Sequence, residues 1–186
     1  MGGYKSRMKK ILNYKGSDEA FAPLMTKNEI ALIEKVLKDN LNDIKVIVEL
    51  GTYAGGTTIQ MSNIVGDKAK IYTVDIFVIN GSDIREKTIE NLKKYPNIEL
   101  MEMTTKKAAY EFNQPIDFLF IDADHQDDSI LNDCKNWLPK LRRGGFAVFD
   151  DYFNDDFPSV KRRVDEQTEF WKIYDQADTV MIKQKP

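Results

Sequence analysis

The chain has a single cysteine in 186 residues. Cys134 therefore has no partner for an internal disulfide, and nothing in the sequence points to an oxidising compartment. Long apolar runs are also missing. No window approaches the roughly 20 residues of a membrane-spanning helix. The N-terminus, MGGYKSRMKKILNYKG, is basic but lacks the apolar centre of a secretion signal. These absences lead to the expectation of a cytoplasmic protein with no membrane partner. Positive charge is not in excess: the formal net charge is -3, which argues against a nucleic-acid partner, since phosphate binding needs a basic surface. There is no repeat, no low-complexity tract and no Pro/Gly-rich linker. What remains is an ordinary balance of 42% hydrophobic and 31% charged residues, enough for one domain with a substantial core. Residues 26–186 are read as that domain. The segment 1–25, with Tyr4, Met8, Ile11 and Leu12, is expected to form a lid or a contact in a homodimer.

Apolar runs alternate with amphipathic stretches. TKNEIALIEKVLKDNL opens with a capping box, Thr26 with Glu29, and then repeats Ile30, Ile33, Leu37 and Leu41 at helical spacing. Short β-branched or apolar runs at 46–50, 70–75, 98–103, 116–122 and 145–150 read as strands. Helices are expected at 57–65, at 82–95, from Ile130 to Leu141, and at 159–167. EFWKIY and DTVMIKQ read as a closing hairpin around DQAD. Strands alternating with helices imply right-handed crossovers and a mostly parallel sheet covered on both faces. Ligands of such sheets bind beyond the carboxyl ends of the strands.

Those ends carry acids. The first strand ends Glu49-Leu50-Gly51, the second at Asp75, the fourth at Asp122, and the fifth at Asp150-Asp151. Singly, an aspartate after a strand is a turn or helix cap. Together they mark one edge. The loop GTYAGGTT supplies Gly51, Gly55 and Gly56, which permit positive φ and close backbone approach. It leads into a helix N-terminus, which favours an anion. The spacing is E-x-G-x-x-x-G, and the dinucleotide pattern fails for want of a third glycine, which disfavours a dehydrogenase. Asp75, at the end of the next strand, is placed to accept hydrogen bonds from ribose hydroxyls.

VELGTYAGGTT, YTVDI and the final hairpin together resemble the class I S-adenosylmethionine-dependent methyltransferases across nearly the whole chain. The resemblance implies an α/β, Rossmann-like, doubly wound seven-stranded sheet, mostly parallel with an antiparallel last strand, and helices on both faces. It implies S-adenosylmethionine as cofactor, held by Glu49, Gly51, Thr52, Tyr53, Gly55, Thr57, Asp75, Ile76, Thr104 and Asp122. Many relatives carry an acid after the third strand, near the adenine; here the sequence reads EMTTKKA, leaving Thr104 or Thr105 for that contact.

FIDADHQDDSI and GGFAVFDDYF bring further carboxylates to the neighbouring strand ends. Crowded carboxylates repel unless protonated or neutralised by a cation, and an oxygen-rich cluster suits Mg²⁺. The two segments resemble the branch of the family that methylates hydroxyls of sugars and natural products, where IDxxH and DD supply a metal site and a base. By position, Asp122, Asp150 and Asp151 are the implied metal ligands and His125, the only histidine, the implied catalytic base. Asp124 competes as base or ligand, or caps the following helix. The expected reaction is divalent-metal-dependent O-methylation of a small molecule or sugar. Two alternatives stand beside it: a glycosyltransferase using the D-x-D of Asp122 and Asp124, and a non-catalytic S-adenosylmethionine-binding protein. Acceptor selectivity is expected from short segments around 1–25, 77–83 and 152–158. Tyr152, Phe153 and Phe157 read as pocket wall or ordinary packing, Cys134 as an inert core thiol, and the basic runs at 142–143 and 161–163 as solvated charge.

Overall fold

A computed structural model describes residues 23–78 and 81–186. The expected lid or dimer segment lies largely outside these, as does part of the 77–83 segment. Chain order is α1 (Lys27–Asp39), β1 (Val46–Leu50), α2 (Gly56–Val65), β2 (Lys70–Asp75), α3 (Gly81–Leu92), β3 (Ile98–Glu102), α4 (Thr105–Glu111), β4 (Ile116–Ile121), α5 (Asp127–Trp137), β5 (Leu141–Phe149), α6 (Pro158–Gln167), β6 (Lys172–Ala177) and β7 (Val180–Gln184). The strands form one seven-stranded sheet in the order β3-β2-β1-β4-β5-β7-β6. Pairs among β1 to β5 are parallel, and β7 runs antiparallel to both neighbours. The expected fold class is what the chain adopts.

Successive strand residues point to opposite faces, so each buried strand feeds two cores. On one face, Val48, Leu50, Leu119 and Ile121 pack with Ala108 of α4, Ile130, Cys134 and Trp137 of α5, and Val160 and Val164 of α6. On the other, Ile47, Phe118 and Phe120 pack with Leu32, Ile33, Val36 and Leu37 of α1 and Met61 and Val65 of α2. Each fully buried valine, leucine, isoleucine, phenylalanine or methionine among these stabilises the fold by roughly 1.5–3 kcal/mol. The α1 capping box forms as the sequence predicts: Thr26 accepts from the Glu29 amide, and Glu29 accepts from the Thr26 amide.

Three local expectations are corrected. The helix expected to run to Leu141 ends at Trp137, and one 3₁₀ turn, Leu138–Lys140, contains Pro139. Proline has no amide hydrogen to continue the helical ladder. Leu141 instead begins β5, where a register shift between Ile116 and Phe118 of β4 absorbs the extra length. Helix α4 was not expected; only Ala108 and Ala109 are buried in it, too little pattern to read. The closing hairpin turns at Asp178-Thr179 rather than around DQAD, because residues 175–177 still pair with β7.

Candidate active site at the carboxyl rim of the sheet

Register places the acids in one row. Leu50 pairs with Val74 and with Ile121, and Ile121 pairs with Phe149. The residues that follow, Gly51, Asp75, Asp122 and Asp150, therefore leave the sheet side by side. Among the described residues, the non-glycine positions with positive φ are Tyr53, Phe77, Asp151 and Asp178. The first three lie in the segments leaving β1, β2 and β5. The fourth lies in the β6–β7 turn, which the Phe149–Met181 pairing brings to the same rim. Backbone strain of this kind concentrates at functional sites.

The loop after β1 is held from below and from the side. Asp75 accepts from the amides of Thr52 at 2.9 Å and Tyr53 at 2.8 Å through one oxygen, and from the amide of Phe77 at 2.6 Å through the other. The acid expected to bind ribose thus also ties two rim loops together. A carboxylate has about four acceptor sites, which leaves one for a ligand. Gly51, at φ 96°, abuts the backbone of Asp122, where a β-carbon would lie 2.1 Å from the carbonyl oxygen. Its freedom serves this crossing of β1 and β4 ends. Gly55, at φ 81°, is the N-cap of α2, and no side chain caps that helix. The α2 N-terminus thus keeps its affinity for a carboxylate. Thr57 lies in its first turn, half-buried.

Glu49 lies beneath this loop, buried on the α1–α2 face. Its Oε2 accepts from the hydroxyls of Thr58 and Thr73, the latter at 2.6 Å, and Thr73 is bonded in turn to Thr52. Burial drives its pKa up to about 8; the two hydroxyls pull it down, and Asp122 and Asp75 add to the rise. Ile76 is 47% exposed at the rim. The Thr104 hydroxyl accepts from the Lys107 amide and so caps α4. Thr105 lends its carbonyl to the Trp137 indole at 3.1 Å.

The second half of the site is a tight group. Asp122, His125 and Asp151 each offer a ligand atom, and these atoms lie within 4.8 Å of one another. His125 Nε2 is 2.9 Å from Asp151 Oδ2 and 3.6 Å from Asp122 Oδ1. Burial alone would lower the His125 pKa, but the two carboxylates outweigh it and raise it to about 10. The ring stacks on Phe157 with centroids 4.5 Å apart. The expected trio of Asp122, Asp150 and Asp151 is not what the geometry brings together. Asp150 lies outside the close group; its Oδ1 accepts from the Asp151 amide at 2.9 Å. His125, expected as the base, is instead the third member of the close group. Asp124 turns toward its own helix, accepting from Ser129 Oγ at 2.6 Å and from the Gln126 amide at 3.3 Å. Asp124 is not part of the close group.

Other readings resolve similarly. Tyr152 is buried and donates to Asp165 at 2.5 Å, so it is packing. Phe153 is 40% exposed beside the site. Burial pushes the Cys134 thiol up to about 12, which fits an inert core residue. The basic runs are more than solvated charge: Arg142 pairs with Asp117, and Arg163 with Asp127 at 2.5 Å, which ties α6 to the start of α5. Among the described residues, no helix is long and apolar enough to cross a membrane.

Similarity to known proteins bears on the family and the fold. The uncharacterized protein R132 of Acanthamoeba polyphaga mimivirus is 31% identical over 136 residues, 65% of this chain and 58% of that protein. The matched regions span 58% and 62% of the lengths of the two curated relatives, so the chain covers less than two thirds of either. The structure of SAH-bound methyltransferase PaMTH1 from Podospora anserina superposes with a TM-score of 0.72 at 16% identity, covering 100% of this chain and 88% of that one. An O-methyltransferase from Bacillus cereus in complex with SAH gives 0.70 at 15% identity, covering 97% and 91%. At such identities the likeness is one of fold. Residues 48–152, more than half of the chain and running from within β1 past the paired aspartates, match the family described as a methyltransferase domain, and the chain belongs to that family.

Proposed function

We propose that the protein transfers the methyl group of S-adenosylmethionine to a hydroxyl oxygen of a small molecule or sugar, with a divalent cation at the Asp122–His125–Asp151 group. The observation that carries this reading is the register row: the uncapped α2 N-terminus, Asp75 and the cation-binding group all open on one rim. The residues fit the cofactor. The first turn of α2 suits its carboxylate, Asp75 keeps an acceptor site for ribose, and Ile76 offers an apolar surface for the base. The α4 cap does not consume the hydroxyl proton of Thr104, so that side chain can still donate at the adenine edge.

The donor set also fits a cation. Two carboxylate oxygens and one imidazole nitrogen suit Mg²⁺ or Mn²⁺, the nitrogen shifting preference toward the softer ion relative to an all-oxygen set. Such an ion, when bound, stabilises an acceptor oxygen as it loses its proton. The chain's own residues do the rest. Asp122 and Asp151 hold His125 in place, and Phe157 fixes the ring plane. As the acceptor oxygen bonds to the methyl carbon, the carbon–sulfur bond breaks in line, and orientation of the two partners supplies much of the rate. The acceptor proton passes to a carboxylate of the group or to solvent. Without a cation the two carboxylates favour a proton on His125; with one bound, His125 gives up that proton and its ring nitrogen serves as a ligand.

Calorimetric titration with S-adenosylhomocysteine, with and without Mn²⁺, tests both halves. Micromolar binding strengthened by Mn²⁺ is the expected result. No binding in either condition removes the methyltransferase reading; binding indifferent to metal removes the cation from it.

A further inference from the structure

Glu29 is an unusual capping-box acid. It is 1% exposed, and only one of its oxygens serves the cap. Oε2 accepts from the Thr26 amide at 2.7 Å. Oε1 reaches across the fold to Thr179, accepting from its amide at 2.9 Å and its hydroxyl at 2.6 Å. Thr179 is half of the β6–β7 turn. Its other half, Asp178, accepts from the Thr26 hydroxyl and from Asn28 at 3.5 Å. Helix α1 therefore grips this turn through three side chains.

The turn in its turn supports the paired aspartates. The Thr179 carbonyl accepts from the Phe153 amide at 3.2 Å, and the Thr179 hydroxyl stands 3.4 Å from Asp150 Oδ1. Asp151, at φ 55°, is in the left-handed region. A non-glycine residue stays there only where its surroundings over-determine it. Asp150 holds its amide, Asn154 bonds its Oδ1 at 2.8 Å, and Phe153 is fastened to Thr179. A charge-assisted bond to a buried carboxylate is the strongest link in this chain.

We infer that Glu29 is a positioning residue: through Thr179 it fixes the Asp150–Asn154 turn, and so the ligand oxygen that Asp151 offers. The inference rests on the proposed cation site and extends it to a residue more than a hundred positions away in sequence. Supporting groups of metal ligands typically set affinity by ~10–100-fold.

Two variants separate bracing from capping. Thr179→Val leaves the capping box intact and removes the hydroxyl between Glu29 and Asp150. Glu29→Gln keeps one acceptor oxygen and gives up the charge. In both, amide exchange at Phe153 should speed up at least about tenfold, and Mn²⁺ should bind about tenfold more weakly, with S-adenosylhomocysteine affinity within about twofold of wild type. In Thr179→Val, exchange at Ile30, whose amide bonds to Thr26, should stay at the wild-type rate. Wild-type exchange at Phe153 together with wild-type Mn²⁺ affinity in Thr179→Val overturns the inference. If the wild-type protein takes up no Mn²⁺, the cation reading of the site falls, and exchange at Phe153 alone still decides whether Glu29 holds the turn.

Discussion

Gly51 and Asp122 meet backbone to backbone: a β-carbon at position 51 would lie 2.1 Å from the Asp122 carbonyl oxygen and 2.7 Å from its carbonyl carbon. The proposed cofactor loop and the proposed cation site thus share one crossing point. Gly51→Ala adds that clash to the strain of a positive φ of 96°. Backbone atoms cannot give way as a flexible side chain does. The expected cost is about 3 kcal/mol or more in denaturant unfolding, with S-adenosylhomocysteine and Mn²⁺ binding weakened together. Loss of one affinity without the other would contradict a shared crossing.

Asp75 gives a contrasting case. Its carboxylate takes three amide hydrogen bonds, two from the loop after β1 and one from Phe77. Asp75→Ala strands these donors and removes the group placed for ribose. We expect about 2 kcal/mol of lost stability and at least about tenfold weaker S-adenosylhomocysteine binding, while Mn²⁺ affinity holds. Asp75→Asn, which keeps acceptor oxygen but no charge, should fall between. Parallel calorimetry and urea titrations would show the split.

The difference between these two sites also marks how far sequence alone reaches. VIVELG and KIYTVD are short, β-branched and bounded by polar loops, so both strands and their terminal acids are legible as text. The capping box at Thr26 and Glu29 is legible too, but not the second use of Glu29, because Thr179 lies 150 residues away. Strand order cannot be read from periodicity; only the family resemblance supplied the antiparallel last strand. Asp150 and Asp151 look equivalent in sequence. The left-handed backbone at Asp151 turns one toward His125 and leaves the other facing the hairpin. No local pattern encodes that choice, which depends on contacts with Thr179 in the β6–β7 turn, beside which the β5–β7 pairing brings the paired aspartates.

Glu49 should leave a signature in pH dependence. Burial raises its pKa from 4.5 to about 8, so between these values the folded protein keeps a proton that the unfolded chain has released. Stability is then fully present below pH 4.5 and falls as pH rises toward 8. Asp133, raised by burial to about 6, acts in the same direction over the lower part of the window. The melting temperature of the ligand-free protein should decline across this range. Glu49→Gln, which keeps an acceptor for Thr58 and Thr73, should flatten the decline. An unchanged slope in that variant would show that the carboxyl is ionised when folded.

The proposed cation site offers the sharpest discrimination between neighbouring acids. Asp122, His125 and Asp151 offer converging atoms, whereas Asp124 is engaged with Ser129 and Gln126. Asp151→Asn and His125→Ala should each weaken Mn²⁺ binding by about a hundredfold or more, at or beyond the upper end of what supporting groups contribute. Asp124→Asn should leave Mn²⁺ affinity within about threefold, because its bonds are local to the start of α5. His125 also decides between two roles. As a ligand, its loss lowers metal affinity; as a base alone, its loss lowers turnover while the metal binds as before. Isothermal titration of the three variants, run beside a methyl-transfer assay, reads both quantities. The proposed cation site predicts the first outcome: the 2.9 Å from His125 Nε2 to Asp151 Oδ2 is hydrogen-bond distance, and a cation between the two groups would replace that bond.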